Sequence, residues 1–137
     1  MSVDCFLDTN VLVYAVSSVE EDSAKRARAL ELVRHADFGL STQVLQEFFV
    51  TATRKIRQPL PVERAVELLE KFRVFPLVLT DYPLIVGAIE RSLEYGVSYW
   101  DGAILAAAET LGAGILYTED LSDGQRYGSV VVRNPFL

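Results

Sequence analysis

Four acidic residues of this sequence stand where they could do chemistry together. Asp8 closes an apolar run over residues 3–7, in Leu7-Asp8-Thr9-Asn10, and Asp120 follows a later apolar run in Tyr117-Thr118-Glu119-Asp120. Asp101 comes three residues after Ser98, in Ser98-Tyr99-Trp100-Asp101, ahead of the alanine-rich stretch Ala103-Ile104-Leu105-Ala106-Ala107-Ala108. Glu47 lies inside a helical pattern over residues 43–56. If four such acids converge, any two carboxylates ~5 Å apart repel by about 3 kcal/mol at an effective dielectric of ~20. A cluster of that kind persists at neutral pH by binding protons or cations. Oxygen ligands without His or Cys favour Mg²⁺ or Mn²⁺. One or two of these ions can activate a water and stabilise the leaving oxygen of a phosphodiester.

Each acid also has a plainer role open to it. Asp8 can cap a short helix over residues 10–16. Asp101 completes a capping box with Ser98. Asp120 is close to the turn pair Asp123-Gly124. Val44, Leu45, Phe48, Phe49, Ala52 and Ile56 form the apolar stripe of the helix that carries Glu47. That periodicity puts Glu47 on the opposite, solvated side with Gln43, Thr51 and Arg54. Arg54, Lys55 and Arg57 could guide phosphates, accept a partner's acidic groups, or serve as favourable charge at a helix C-terminus.

The elements that must position these residues alternate along the chain. Short apolar strands are expected at residues 3–7, 38–40, 75–79, 115–117 and 129–132. Helices fall between them at 24–36, from Ser41 or Thr42 to about 57, at 62–72, from Thr80 or Asp81 to Gly96, and at 99–111. Residues 119–128 read as a polar loop. Short strands separated by helices imply a mainly parallel, five-stranded sheet covered on both faces, an α/β fold. Ligand sites in such folds gather at the carboxyl ends of the strands, where Asp8 and Asp120 stand.

Composition bounds the rest. A length of 137 residues suits one domain, here residues 1–137, with 50% hydrophobic and 23% charged residues arguing against disorder. A lone Cys5 forms no internal disulfide, and the one histidine, His35, excludes a zinc site built on several imidazoles. The first eight residues carry Asp4 and Asp8 and no basic run, so no secretory signal is expected, and no apolar stretch suggests a membrane span. The expectation is a soluble cytoplasmic protein. A net charge of −6 at first argues against nucleic acid as a partner.

Asp8-Thr9-Asn10, Gln46-Glu47-Phe48, Tyr99-Trp100-Asp101 and Thr118-Glu119-Asp120, in this order and at these separations, resemble the PIN-domain family, most closely its VapC-like toxin ribonucleases. The resemblance spans the whole chain. It implies a three-layer α/β/α sandwich and metal-dependent cleavage of single-stranded RNA by a metal-activated water. It makes Asp8, Glu47, Asp101 and Asp120 the acidic quartet that binds one or two Mg²⁺ or Mn²⁺ ions, with Asp8 and Asp101 the most direct ligands. Asn10 and Thr118 become polar supports. The Thr-x-Asp spacing selects Asp120, while Glu119 and Asp123 stand in the same loop, and Asp123 is a possible additional contact. The resemblance further implies a small antitoxin partner and a homodimer. Setting the four acids aside leaves 15 acidic against 13 basic residues, so the charge excess is concentrated in a site that holds cations.

Other readings fit less well. A phosphatase with Asp8 as nucleophile wants Asp-x-Asp, and the second position is Asn10. A non-catalytic PIN fold, or a receiver-like binding module, is the alternative to an enzyme. A receiver would use Asp81 and a late lysine, but no Lys follows Lys71.

Overall fold

Short apolar strands that each lead into helices can pair only through crossovers, and the architecture follows from this. The computed structural model describes residues 2–137. β1 (Cys5–Leu7) leads into α1 (Thr9–Val16) and α2 (Ser23–His35), joined through a 3₁₀ turn at Glu20–Asp22. β2 (Phe38–Ser41) precedes α3 (Thr42–Val50) and α4 (Val62–Phe72), and β3 (Leu77–Val78) precedes α5 (Tyr82–Tyr95) and α6 (Tyr99–Thr110). β4 (Ile115–Tyr117), β5 (Arg126–Tyr127) and β6 (Val130–Arg133) complete the sheet.

The strand order is β3-β2-β1-β4-β6-β5, parallel except for the antiparallel β5–β6 pair. Right-handed crossovers put α1 to α4 on one face as the chain steps from β1 out to β3. The return from β3 to β4 puts α5 and α6 on the other. Packing agrees: α1 lies against α2 and α3, α3 against α4, and α5 chiefly against α6. The result is a three-layer α/β/α sandwich. Phe6, Leu7, Leu40, Leu116, Val130 and Val132 are sealed in its centre. The direction of travel reverses between β1 and β4, and a crevice opens there at the strands' carboxyl ends.

Three expectations change. The sheet has six strands, because the segment read as a polar loop contains β5. Two residues are too few for alternation to register. Burial of Tyr127 against Tyr95 (ring centroids 5.1 Å apart) and the turn at Gly128 (φ 61) hold β5 on β6. The third strand contracts to Leu77–Val78. The helix carrying Glu47 is regular only to Val50 and then widens into a π-turn, Thr51–Lys55, closed by Ile56 N–H donating to the Thr51 carbonyl at 3.2 Å.

α5 and α6 meet more closely than side chains normally permit. A Cβ on Gly102 would lie 2.5 Å from the Ala88 carbonyl oxygen, so only glycine fits. Ser98 caps α6 by accepting from the Asp101 N–H at 3.0 Å. Together these fix the amino end of α6 at the crevice.

Candidate active site

Asp8 leaves β1 at the crevice and caps α1, so its structural and functional readings coincide. One carboxylate oxygen accepts from the Thr9 N–H at 2.7 Å and the other from the Thr118 hydroxyl at 2.8 Å. Burial pushes its carboxyl up to about 7; the hydrogen bonds from Thr118 and Thr9 oppose this, and the charges of Asp120 and Glu47 add to it. Thr118 is fully buried just past β4. Its oxygen also accepts from Asn10 Nδ2 at 3.2 Å and from the Asp120 N–H at 3.1 Å. Asn10 Nδ2 donates to Asp120 Oδ2 as well, at 3.2 Å. Among the described residues, Asn10 Oδ1 is buried without a partner.

Glu47 does not face open solvent. α1 packs beside α3, so a second side of that helix is covered, which the periodicity of α3 alone cannot reveal. Glu47 Oε1 accepts from the Thr9 hydroxyl at 2.8 Å. Gln43, itself buried, reaches Glu47 Oε2 at 3.5 Å and the Trp100 carbonyl at 3.3 Å. Asp101 occupies the first turn of α6. Burial raises its pKa, the Ser98 hydrogen bond opposes the rise, and Asp120 and Glu47 add to it. Asp8 and Asp101 thus each feel the charges of Asp120 and Glu47.

The other two acids of the β4–β5 loop are engaged elsewhere. Glu119 accepts from the Tyr14 hydroxyl at 2.9 Å and pairs with Lys25 at 3.1 Å. Asp123 accepts from the Asn134 N–H at 2.8 Å and pins the end of β6. Only Asp120 of the three bonds to Asn10 and Thr118. The roles of Thr9, Gln43, Tyr14 and Lys25 escaped the sequence reading, which named Glu119 only as a neighbour of Asp120. Their hints are slight: Thr9 adjoins Asp8, and Gln43 lies one helical turn before Glu47.

Asp8, Glu47 and Asp120 line a cleft of about 810 Å³, and Trp100 forms part of the same wall beside Asp101. Among the described residues, no three Asp, Glu, His or Cys side chains stand close enough to enclose an ion outright. Mg²⁺ asks for less, because it keeps several waters and takes one or two carboxylates plus substrate phosphates. An all-oxygen donor set with a free amide oxygen at Asn10 fits that ion and gives zinc no nitrogen or sulfur.

The PIN-domain family model matches residues 5–122, and the chain belongs to the PIN-domain family. Solved structures of similar fold include VapC20 from Mycobacterium tuberculosis, described as a sarcin-ricin-loop-cleaving toxin. It is 18% identical with a TM-score of 0.66, over 85% of this chain and 89% of that one. A toxin–antitoxin complex from Klebsiella pneumoniae matches at 19% identity and TM-score 0.68, over 96% and 97% of the two chains. DNA-bound VapBC from Salmonella typhimurium matches at 17% and 0.64, over 96% and 97%. No curated protein matches the chain in sequence. Among the described residues, no helix is long and apolar enough to cross a membrane.

Proposed function

We propose that this PIN domain is a metal-dependent endoribonuclease, the toxin of a toxin–antitoxin pair acting in the cytoplasm. The observation that carries the reading is the convergence of Asp8, Glu47 and Asp120 in one cleft, with Asp101 at the amino end of α6 feeling the charges of Asp120 and Glu47. Asp8, Glu47, Asp101 and Asp120 would hold one or two Mg²⁺ or Mn²⁺ ions. When bound, the metal supplies positive charge that makes a water nucleophilic at neutral pH and stabilises the departing oxygen of a phosphodiester.

The chain's own residues prepare the site. Thr9 and Thr118 fix both oxygens of Asp8, and Thr9 also orients Glu47. Asn10 steers Asp120 and keeps Oδ1 free as an acceptor. His35 is at the far end of α2, Lys55 lies beyond the acids, and the Lys25 amine is held by Glu119 and Tyr14. Single-stranded RNA is the substrate that an open cleft admits most readily, because unstacked bases can enter it.

Two partners complete the proposal. The similar structures that contain antitoxins support a small antitoxin protein as the partner here. A second copy of the chain is proposed to cover α5, where Tyr82, Val86, Ile89 and Leu93 form an exposed apolar stripe at spacings of four, three and four. Glu90 and Glu94 lie only in the second half of that helix, so antiparallel pairing across a two-fold axis keeps like charges apart.

The test is cleavage of a mixed RNA pool with Mg²⁺ or Mn²⁺, comparing wild type with Asp8→Asn. Wild type is expected to cut, and EDTA or the substitution to abolish cutting. Equal cleavage by both proteins, or cleavage untouched by EDTA, overturns the reading.

A further inference from the structure

The cleft has a second half that holding metal does not explain. Its long wall is α3 and the π-turn that continues it, from Gln43 and Glu47 through Val50 and Thr51 to Lys55, roughly 18 Å by helical rise. Asp8, Glu47 and Asp120 mark the end near Gln43, and Lys55 and Arg57 stand at the other, where Glu21 and Asp22 also line the cleft. Among the described residues Lys55 has no carboxylate partner. Arg57 pairs with Glu21 at 3.3 Å, but both side chains are about 70% exposed, and such pairs exchange readily for a phosphate.

Trp100 lines the acidic end and is 63% exposed, which leaves its indole open to the cleft. Its position is nonetheless well fixed. Gln43 holds its carbonyl at 3.3 Å, Tyr99 packs edge-on against it at 5.0 Å, and it belongs to the first turn of a helix anchored at Gly102. An open aromatic on a fixed stretch of backbone next to the acids, followed along one wall by Lys55 and the exposed Arg57, has the two components of a single-strand seat: a stacking surface and a track for the backbone.

We propose that Trp100 is the base-stacking platform of this cleft, and that single-stranded RNA lies along α3 from Trp100 to Lys55 with its scissile phosphate between them. The inference rests on the nuclease reading and adds the substrate's placement and direction to it. Stacking on an indole tolerates any base, so Trp100 contributes affinity without sequence preference, and Lys55 contributes a salt-dependent share.

Trp100 is the only tryptophan of the chain, so its fluorescence reports on this one position. The experiment titrates wild type, in EDTA, with a short mixed-sequence single-stranded oligoribonucleotide and with the matching duplex, and checks on a gel that the strand stays intact. Saturable quenching by the single strand alone is expected. In the cleavage assay Trp100→Ala should raise KM about tenfold with kcat within about twofold, and Trp100→Phe should restore most of the loss. Lys55→Gln should lower the slope of log affinity against log salt by about one. Matching thermal melts establish that the exposed substitutions leave the fold intact. The platform is overturned if wild type cleaves RNA while its fluorescence ignores the strand, or if Trp100→Ala keeps the wild-type KM. It is equally overturned if the fluorescence follows protein concentration or an added protein partner and not RNA, which would assign Trp100 to a protein interface. Quenching by the single strand without cleavage under any Mg²⁺ or Mn²⁺ condition would sustain the platform and remove the nuclease reading instead.

Discussion

Thr118 uses a single hydroxyl three times, donating to Asp8 and accepting from Asn10 and from the Asp120 N–H, all in a fully buried position. Thr118→Val keeps the volume and removes all three bonds. Chemical denaturation should show a loss of about 2–3 kcal/mol, and Thr118→Ser should lose far less. Asp8 behaves in the opposite sense. Its folded pKa of about 7 lies above the ordinary carboxylate value, so the folded chain binds the proton more tightly than the unfolded one. The stability this contributes is fully present below about pH 4 and is lost as pH rises through about 7. In EDTA the melting temperature of wild type should therefore fall as pH rises through about 7, and Asp8→Asn should lack that fall even though it destroys the proposed activity. At this scale the sequence was partly readable. Asp8 and Asp120 end apolar strands and announce themselves. Glu47 does not, because its own helix has one obvious apolar stripe and only the packing of α1 covers the other side.

At the scale of elements, the α5–α6 pair and α3 behave differently. Gly102→Ala forces a methyl against the Ala88 carbonyl, and backbone cannot yield as a side chain's end can. A loss of about 2–3 kcal/mol is expected in thermal or urea unfolding. Leu93, 80% exposed on the α5 stripe, gives the reverse case. Leu93→Glu should leave the melting of the monomer unchanged and shift the mass measured by light scattering from dimer to monomer. Helix positions were well foretold where a capping residue or a glycine punctuates them, as at Asp81, Gly96 and Ser98. The π-turn after Val50 was not, since residues 51–55 continue the helical pattern and the change of period comes from tertiary hydrogen bonds such as Leu60 N–H to the Ala52 carbonyl at 2.8 Å. β5 was missed because two residues carry no period.

For the whole molecule, the charge of −6 and the fold must be taken together. Acids gathered at a reversal point of the sheet make cation binding a stabilising event. Mg²⁺ or Mn²⁺ at about a hundred times its dissociation constant should raise stability by about 2.7 kcal/mol. Calorimetry should show the melting temperature climbing with metal for wild type and hardly moving for Asp8→Asn. The placement of β1 has a separate consequence, one of timing. β1 is central, and its β4 neighbour pairs Cys5 with Ile115, while the Thr118–Asp8 hydrogen bond spans 110 positions. On a growing chain, Asp8 emerges first and waits through roughly 5–20 s of synthesis for Thr118 and Asp120 to follow. During that interval the crevice has only one side and its acids are not assembled. A protein proposed to destroy RNA is thus disarmed, by strand order alone, while it is still held on the ribosome that is making it.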